Sequence, residues 1–529
     1  MTTRSHSVSR REFARLAALS AGAVSLTGCL DMASIFDPPP PRLSFGKLAS
    51  NKDSIAWRAV NRLAFGPRPG DLERVSSIGI DAYIEEQLAP DALEESTTLV
   101  DKLARLDTLE MPPDELSDWE RANYKDDAVI PLMRALLKVT KRDAPPLGQA
   151  AIELQQACVL RATYSRRQLQ EVMVHFWSDH FNIDQSKTSC RWLKSVDDRL
   201  IRRHALGKFR DLLSASAHSP AMLIYLDNAE NHKRDDQIGS TPNENYAREL
   251  LELQTLGVSS GYSQHDVQEV ARCLTGWTVG AGFERSTGQF EFRAEDHDPN
   301  SKTVLGRAIS AGGGQADGEA VLEILSCHPN TAGLVARKLC RRFVSDDVPE
   351  GLVDQLADVF LRSEGDIRQV LSALFHSQEF QQGGQPKFKR SFDYAVSALR
   401  ALDADTTAEA ILPHLKKMGQ VPFNWSSPEG YPDLAGAWSA TLLPRWNFAV
   451  DLVQNQISDT VIRPERLAQA TGQTDPADVY RTISAGVLGE PLAQSYVSAM
   501  VRQTDFLRIP DALPQWLALL LAAPQFQYR

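Results

Sequence analysis

Asn243-Glu244-Asn245-Tyr246-Ala247-Arg248-Glu249-Leu250-Leu251-Glu252-Leu253-Gln254-Thr255-Leu256-Gly257 is the stretch whose reading decides the fold. Pro242 stands where the first turn of a helix tolerates it, and Gly257 where a left-handed residue ends one. At 100° per residue, Asn245, Arg248, Glu249 and Glu252 share one side of that helix. Tyr246, Ala247, Leu250, Leu251 and Leu253 fill the broad opposite side, so one amphipathic helix is predicted. Two carboxylates one turn apart, beside an arginine and an amide, can bind a cation or move protons. The same spacing describes an ordinary charged helix face in water.

Helical spacing continues on both sides of this stretch. Apolar intervals of three and four predict helices at 54–63, 70–87, 128–138, 145–180 (one helix or two), 197–204, 207–216 and 263–278. They resume at 318–327, 330–343, 348–362, 366–375 and 392–401. No strand–helix alternation suggests a parallel sheet, and no GxGxxG or P-loop string occurs. The exception is 279–314, rich in glycine and polar residues, where Gln289-Phe290-Glu291-Phe292-Arg293 alternates like a hairpin arm. The fold class is therefore mainly α: a multi-helix globular domain with a small β-hairpin-containing insertion near 279–314.

The N-terminus reads as an export signal. Ser9-Arg10-Arg11-Glu12-Phe13 is a twin-arginine motif, and the apolar run at 14–27 is too short to span a membrane. Leu26-Thr27-Gly28-Cys29 resembles a lipobox, which would make Cys29 a lipidated first mature residue; a plain cleaved signal is the alternative. Removal of 1–28 takes away four arginines and one glutamate, moving the formal charge from −11 to −14. That balance argues against nucleic acid and against electrostatic docking on anionic lipid. The prolines at 38–41 make a stiff spacer. The organisation expected is a signal at 1–28, a linker at 29–50, a helical domain at 51–455 and a helical extension packed on it at 456–529. Beyond Cys29 stand Cys158, Cys190, Cys273, Cys327 and Cys340, an odd number with no C-x-x-C, so neither zinc nor a disulfide framework is indicated.

Other stretches join the opening one. They are Asn61-Arg62-Leu63-Ala64-Phe65-Gly66-Pro67, Phe176-Trp177-Ser178-Asp179-His180-Phe181-Asn182, and Tyr225-Leu226-Asp227-Asn228. Then come Ala271-Arg272-Cys273-Leu274-Thr275-Gly276-Trp277, His297-Asp298 ahead of Lys302-Thr303-Val304-Leu305-Gly306, and Ala336-Arg337-Lys338-Leu339. Pro428-Glu429-Gly430-Tyr431-Pro432-Asp433 and Arg445-Trp446-Asn447-Phe448 follow. Over about residues 54–455 this set resembles the DUF1800 family of exported bacterial proteins, in the same order. The resemblance implies a fold and a map of positions rather than a reaction. It also implies a partner, because such proteins accompany a second exported family, DUF1501.

Histidines offer two kinds of site. His175 has Glu171 and Asp179 one turn away on either side, good spacing for a metal or for a salt-bridge ladder. His180 lies among Met173, Phe176 and Trp177, where a core histidine is the commoner outcome; the resemblance nonetheless falls on His180 and Asn182. On 263–278, His265, Glu269 and Arg272 share a polar face opposite Val267, Val270, Leu274 and Trp277. His297-Asp298, with Asp296 beside it, is either a loop proton shuttle or turn chemistry. No G-x-S-x-G elbow and no H-E-x-x-H occurs.

These residues are expected to share one groove. Glu249 and Glu252 would bind a divalent metal with His180 or serve as acid and base, His180 or His297 would shuttle a proton, and Arg248 would orient an anionic substrate or fix the carboxylates. Asn243, Asn245, Trp277 and Asp298 would contact it. Hydrolysis of an envelope or extracellular substrate is the reaction expected; a non-catalytic envelope assembly or binding role is the alternative.

Overall fold

The computed structural model describes residue 45 and residues 54–123, 148–186, 191–233, 241–282, 285–383, 385–504 and 509–529. The twin-arginine stretch, Cys29, the proline spacer, the helix expected at 128–138 and Cys190 lie outside the described residues. The chain is mainly α, and the described residues hold three small two-stranded antiparallel sheets.

Local chemistry sets the helix boundaries. Ser54 accepts a hydrogen bond from the Trp57 amide (3.2 Å) and starts the helix Ile55–Arg62. The run expected at 70–87 is two helices, Asp71–Ile78 and Ile80–Leu88, because Gly79 between them has φ +85°. The run at 145–180 is likewise two, Gln149–Tyr164 and Gln168–His180. The helix expected at 263–278 opens with a Ser263–Asp266 capping box but stops at Cys273. Gly276 (φ +79°) turns the chain so tightly that a Cβ there would lie 2.4 Å from the Arg293 carbonyl oxygen. Trp277 and Thr278 therefore begin a strand.

That strand, Trp277–Gly282, pairs with Arg285–Phe292 in the register Trp277↔Phe292 and Val279↔Phe290. A second hairpin joins Lys302–Val304 to Arg307–Ile309 through Leu305 and Gly306, both at positive φ (+50° and +74°). The insertion thus holds two hairpins; three-residue strands are too short to show a period in sequence.

One continuous apolar core runs from Phe45 to Phe526. The C-terminal helices belong to it: Tyr480 stacks on Trp516 (centroids 4.6 Å apart), and helix Ile509–Ala522 packs on Leu442–Val453. A short pairing of Asp405–Thr406 with Thr460–Val461 ties the same region to the body. Among the described residues no helix is long and apolar enough to cross a membrane.

The opening stretch departs from an ideal helix. Asn245–Glu249 is α-helical, but Leu250–Thr255 winds as a π-helix, with the Leu256 amide donating to Leu251 O (2.9 Å). Tyr246, Ala247, Leu250 and Leu251 are buried as the projection requires. Leu253 is only half-buried, whereas Gln254 and Thr255 are buried instead. The wider turn carries one residue more, so every later side chain is displaced around the axis by one step.

Candidate functional site

The end of the π-turn organises the first polar region. Its last carbonyls lack helical partners, and two other motifs supply them. His180 Nε2 lies 3.0 Å from Gln254 O, and Lys338 Nζ lies 3.3 Å from Leu253 O. A carbonyl only accepts, so Nε2 carries the proton and Nδ1 accepts from Lys338 Nζ at 2.8 Å. A cation beside the negative end of a helix is electrostatically favourable. His180 is 3% exposed and ringed by Trp177, Phe181 and Phe209. Burial, then the Lys338 charge, hold its pKa well below the ordinary histidine value, against the pull of the Gln254 hydrogen bond. Burial also brings Lys338 down to about 8, opposed by Asp179 and Glu429.

A loop then closes over the end of the His180 helix. Asn182 Nδ2 donates to Trp425 O (2.9 Å) and Ser427 O (2.7 Å), and the Tyr225 hydroxyl donates to Ser426 O (3.2 Å). Gly430 (φ +76°) packs so closely that a Cβ would fall 2.0 Å from Asp179 O. This contact seats the exposed Glu429 within electrostatic reach of both Glu249 and Lys338.

Glu249 and Glu252 lie half-buried on this open face. Burial raises the Glu249 carboxyl above its ordinary value; Glu252 raises it further, Arg248 opposes, and Glu429 adds. Glu252 has different company: Arg248 Nη1 at 3.7 Å and the hydroxyl of Tyr262. Burial and the Glu252 carboxylate push the Tyr262 phenol up to about 12. Tyr225, also raised to about 12 by burial with Asp184 and Glu249, borders the pair. Arg248 further binds Glu244 (3.1 Å) and Gln264 (3.0 Å).

The second polar region is sealed. His297 Nδ1 donates to Thr275 O (2.8 Å), and its Nε2 faces Asp317 Oδ2 (3.1 Å). Lys302 Nζ sits 2.5 Å from the same carboxylate oxygen and also donates to Asp298 O. The Lys302 and Asp317 side chains are 0% and 2% exposed. Arg272 joins Asp298 (2.8 Å) to Glu269 (2.6 Å), and Glu269 accepts the Thr303 amide (2.7 Å). Burial would raise the Asp298 carboxyl, but hydrogen bonds from Arg272 and Asn300 outweigh it and bring it to about 2. This network fastens the second hairpin to helix Gln264–Cys273.

The single groove expected from sequence is therefore two regions. Arg248 meets that helix at Gln264 and Asp298 meets it at Arg272, eight residues or about 12 Å along its axis. Glu249, Glu252 and Arg248 are together; His297 and Asp298 bond elsewhere. His180 borders the open face, but Gln254 and Lys338 occupy both ring nitrogens, so it is not free to complete a metal site with Glu249 and Glu252. Among the described residues no three His, Cys, Asp or Glu side chains gather as a metal site. Asn243 and Asn245 bond the Leu226–Asp227 backbone, where Asp227 is left-handed (φ +61°). Trp277, fully buried against His218, Phe290 and Gly318, is core rather than a substrate contact. His175 accepts from Arg390 (2.8 Å) in a buried site of its own. Sequence reasoning missed Lys338, Glu429, Tyr225 and Tyr262. The first three stood inside quoted motifs, and only the fold shows that they meet.

Comparison with known proteins gives one match. The family model described as "Protein of unknown function (DUF1800)" matches residues 58–528, which carries the match through the C-terminal helices that the motif resemblance left out. No curated protein and no solved structure matches the chain. The chain belongs to the DUF1800 family.

Proposed function

We propose that this protein is an exported hydrolase, tethered through Cys29, that cleaves an envelope or extracellular substrate by acid–base chemistry at Glu249 and Glu252. The observation that carries the reading is the unequal environment of the two carboxyls. Glu249 holds its proton to higher pH, while Glu252 is held by Arg248 and Tyr262. Two neighbouring carboxyls in unlike surroundings, one raised by burial and the other beside an arginine and a phenol, can divide the roles of proton donor and acceptor. Glu249 would protonate the leaving group as its bond breaks, and Glu252 would take a proton from the attacking water. Glu244, Glu249, Glu252 and Glu429 together favour an uncharged or cationic polymer over a polyanion.

The test is hydrolysis of polar envelope and extracellular polymers by the purified protein, with Glu249→Gln beside it. Loss of a general acid should lower kcat about 10²- to 10⁴-fold with an unchanged Tm. Full activity in Glu249→Gln would sink the assignment. A second reading, an assembly or binding factor acting with a DUF1501-type partner, is favoured by the sealed His297–Lys302–Asp317 network, in which motif residues serve packing alone. A folded protein inert on every substrate but retained by such a partner would support it.

A further inference from the structure

Arginines from three distant parts of the chain gather in the core, one helix turn from Lys338. Arg62 ends helix Ile55–Arg62, Arg342 lies on helix Pro329–Phe343, and Arg529 is aligned by backbone hydrogen bonds with Lys387 (3.0 and 2.9 Å). Residue exposures are 4%, 1% and 9%, and the Arg529 side chain itself is 2% exposed. The acidic side chains nearby are shared or already engaged: Asp179 pairs with Arg390 and Asp346 with Lys387, both at 2.5 Å. Asp393 serves Arg342 (3.1 Å), Arg390 (3.6 Å) and Arg529 (3.6 Å) at once. Asp433 is drawn to Lys387 (3.4 Å) and lies 4.0 Å from Arg342. Arg62 has no carboxylate within salt-bridge distance among the described residues; its Nη2 reaches only Gln385 O at 3.3 Å.

The unmatched donors point the same way. Nε and Nη1 of Arg62, Nε of Arg342, and all three guanidinium nitrogens of Arg529 are buried without a hydrogen-bond partner. Like charges crowded in a low-dielectric interior repel strongly, and a buried charge without compensation is costly. Burial and then the charges of Arg529 and Arg342 lower Arg62 to about 9, still cationic at neutral pH.

We propose that Arg62, Arg342 and Arg529 form a buried binding site for a small inorganic oxyanion of the phosphate or sulfate kind. Guanidinium forks match the geometry of such an anion and neutralise it with several hydrogen bonds at once. Donors this deeply buried suit a small free ion better than a lipid headgroup or a polymer. Bound there, the anion joins helix Ile55–Arg62 to Arg342 and Arg529 and acts as part of the fold.

The experiment is a thermal-unfolding titration of the full protein with inorganic phosphate, then sulfate, against chloride at constant ionic strength. A saturable rise in Tm of several degrees with the oxyanion, lost in Arg62→Gln, is expected. Asp433→Asn, which removes a competing carboxylate, should leave the response intact or strengthen it. Equal responses to phosphate, sulfate and chloride would overturn the proposal, as would a phosphate response undiminished in Arg62→Gln. Should Arg62→Gln fail to fold, saturation of the wild-type response at low oxyanion concentration decides: a rise that saturates supports the site, and one that only climbs with concentration is the general salt effect and overturns it.

Discussion

Two polar regions flank helix Gln264–Cys273, and they are made of nearly the same residues: carboxylates, an arginine, a lysine and a histidine. At one end Arg248, Glu249 and Glu252 lie half-open beside Lys338 and His180. At the other, His297, Lys302 and Asp317 are enclosed at the base of a hairpin, with Asp298 and a partly exposed Arg272 at the edge. The enclosed set is closely matched, each charge facing an opposite one or a fixed dipole. The open set is mismatched, with Glu249 raised by burial and by two neighbouring acids, and Lys338 lowered to about 8. A matched network holds the fold; a mismatched one retains free energy that a substrate or a proton can draw on. Residue type alone does not separate the two, but exposure and pairing do.

Stability measurements can break that comparison. The largest effect should come from Lys302→Met, which leaves Asp317 charged and buried with only His297 beside it; urea unfolding should show a loss of about 3–5 kcal/mol. A cost under about 1 kcal/mol would mean the network is not a closed one. Asn182→Ala ranks next, since it strips the Trp425 and Ser427 carbonyls of a donor, for about 1–3 kcal/mol. It should also accelerate proteolysis in the 425–432 loop, and intact protection there would remove Asn182 as its anchor.

Lys338 should show itself through pH. Its folded value of about 8 lies below the ordinary 10.5, so between those values the unfolded chain binds the proton and the folded one does not. Stability should rise with pH across that window relative to Lys338→Met, and parallel profiles would refute the shift. Glu249→Gln should be the mildest for stability, within about 0.5 kcal/mol. The folded Glu249 value is raised, so the native state favours the protonated form and its ionisation costs stability as pH rises through that value. The variant should gain slightly on the wild type at neutral pH, and the gain should vanish below the ordinary 4.5. A large loss instead would move Glu249 into the matched class.

Much of this was legible in the sequence. Periodicity alone placed most helices, because each buries one stripe against a common core, and Gly79 and Gly276 explain two boundaries it misplaced. The pairing of Glu249, Glu252 and Arg248 is local and could be read from spacing. What could not be read was long-range: Lys338 meets His180 across 158 positions, and Asn182 meets Trp425 across 243. Nor does spacing distinguish a sealed histidine from an open one, which is why His297 and Trp277 were joined to a groove they do not enter.

The π-turn at Leu250–Thr255 makes this site sensitive to chain length more than to composition. An α-helix with one residue too many can return to ordinary winding by losing one. Deleting a single residue there would swing Leu253 and Gln254 around the axis and withdraw their carbonyls from Lys338 and His180. A frame-preserving deletion should therefore harm the protein more than a conservative leucine substitution in the same turn. For lineages carrying this chain, that turn is a place where substitutions can accumulate and indels cannot.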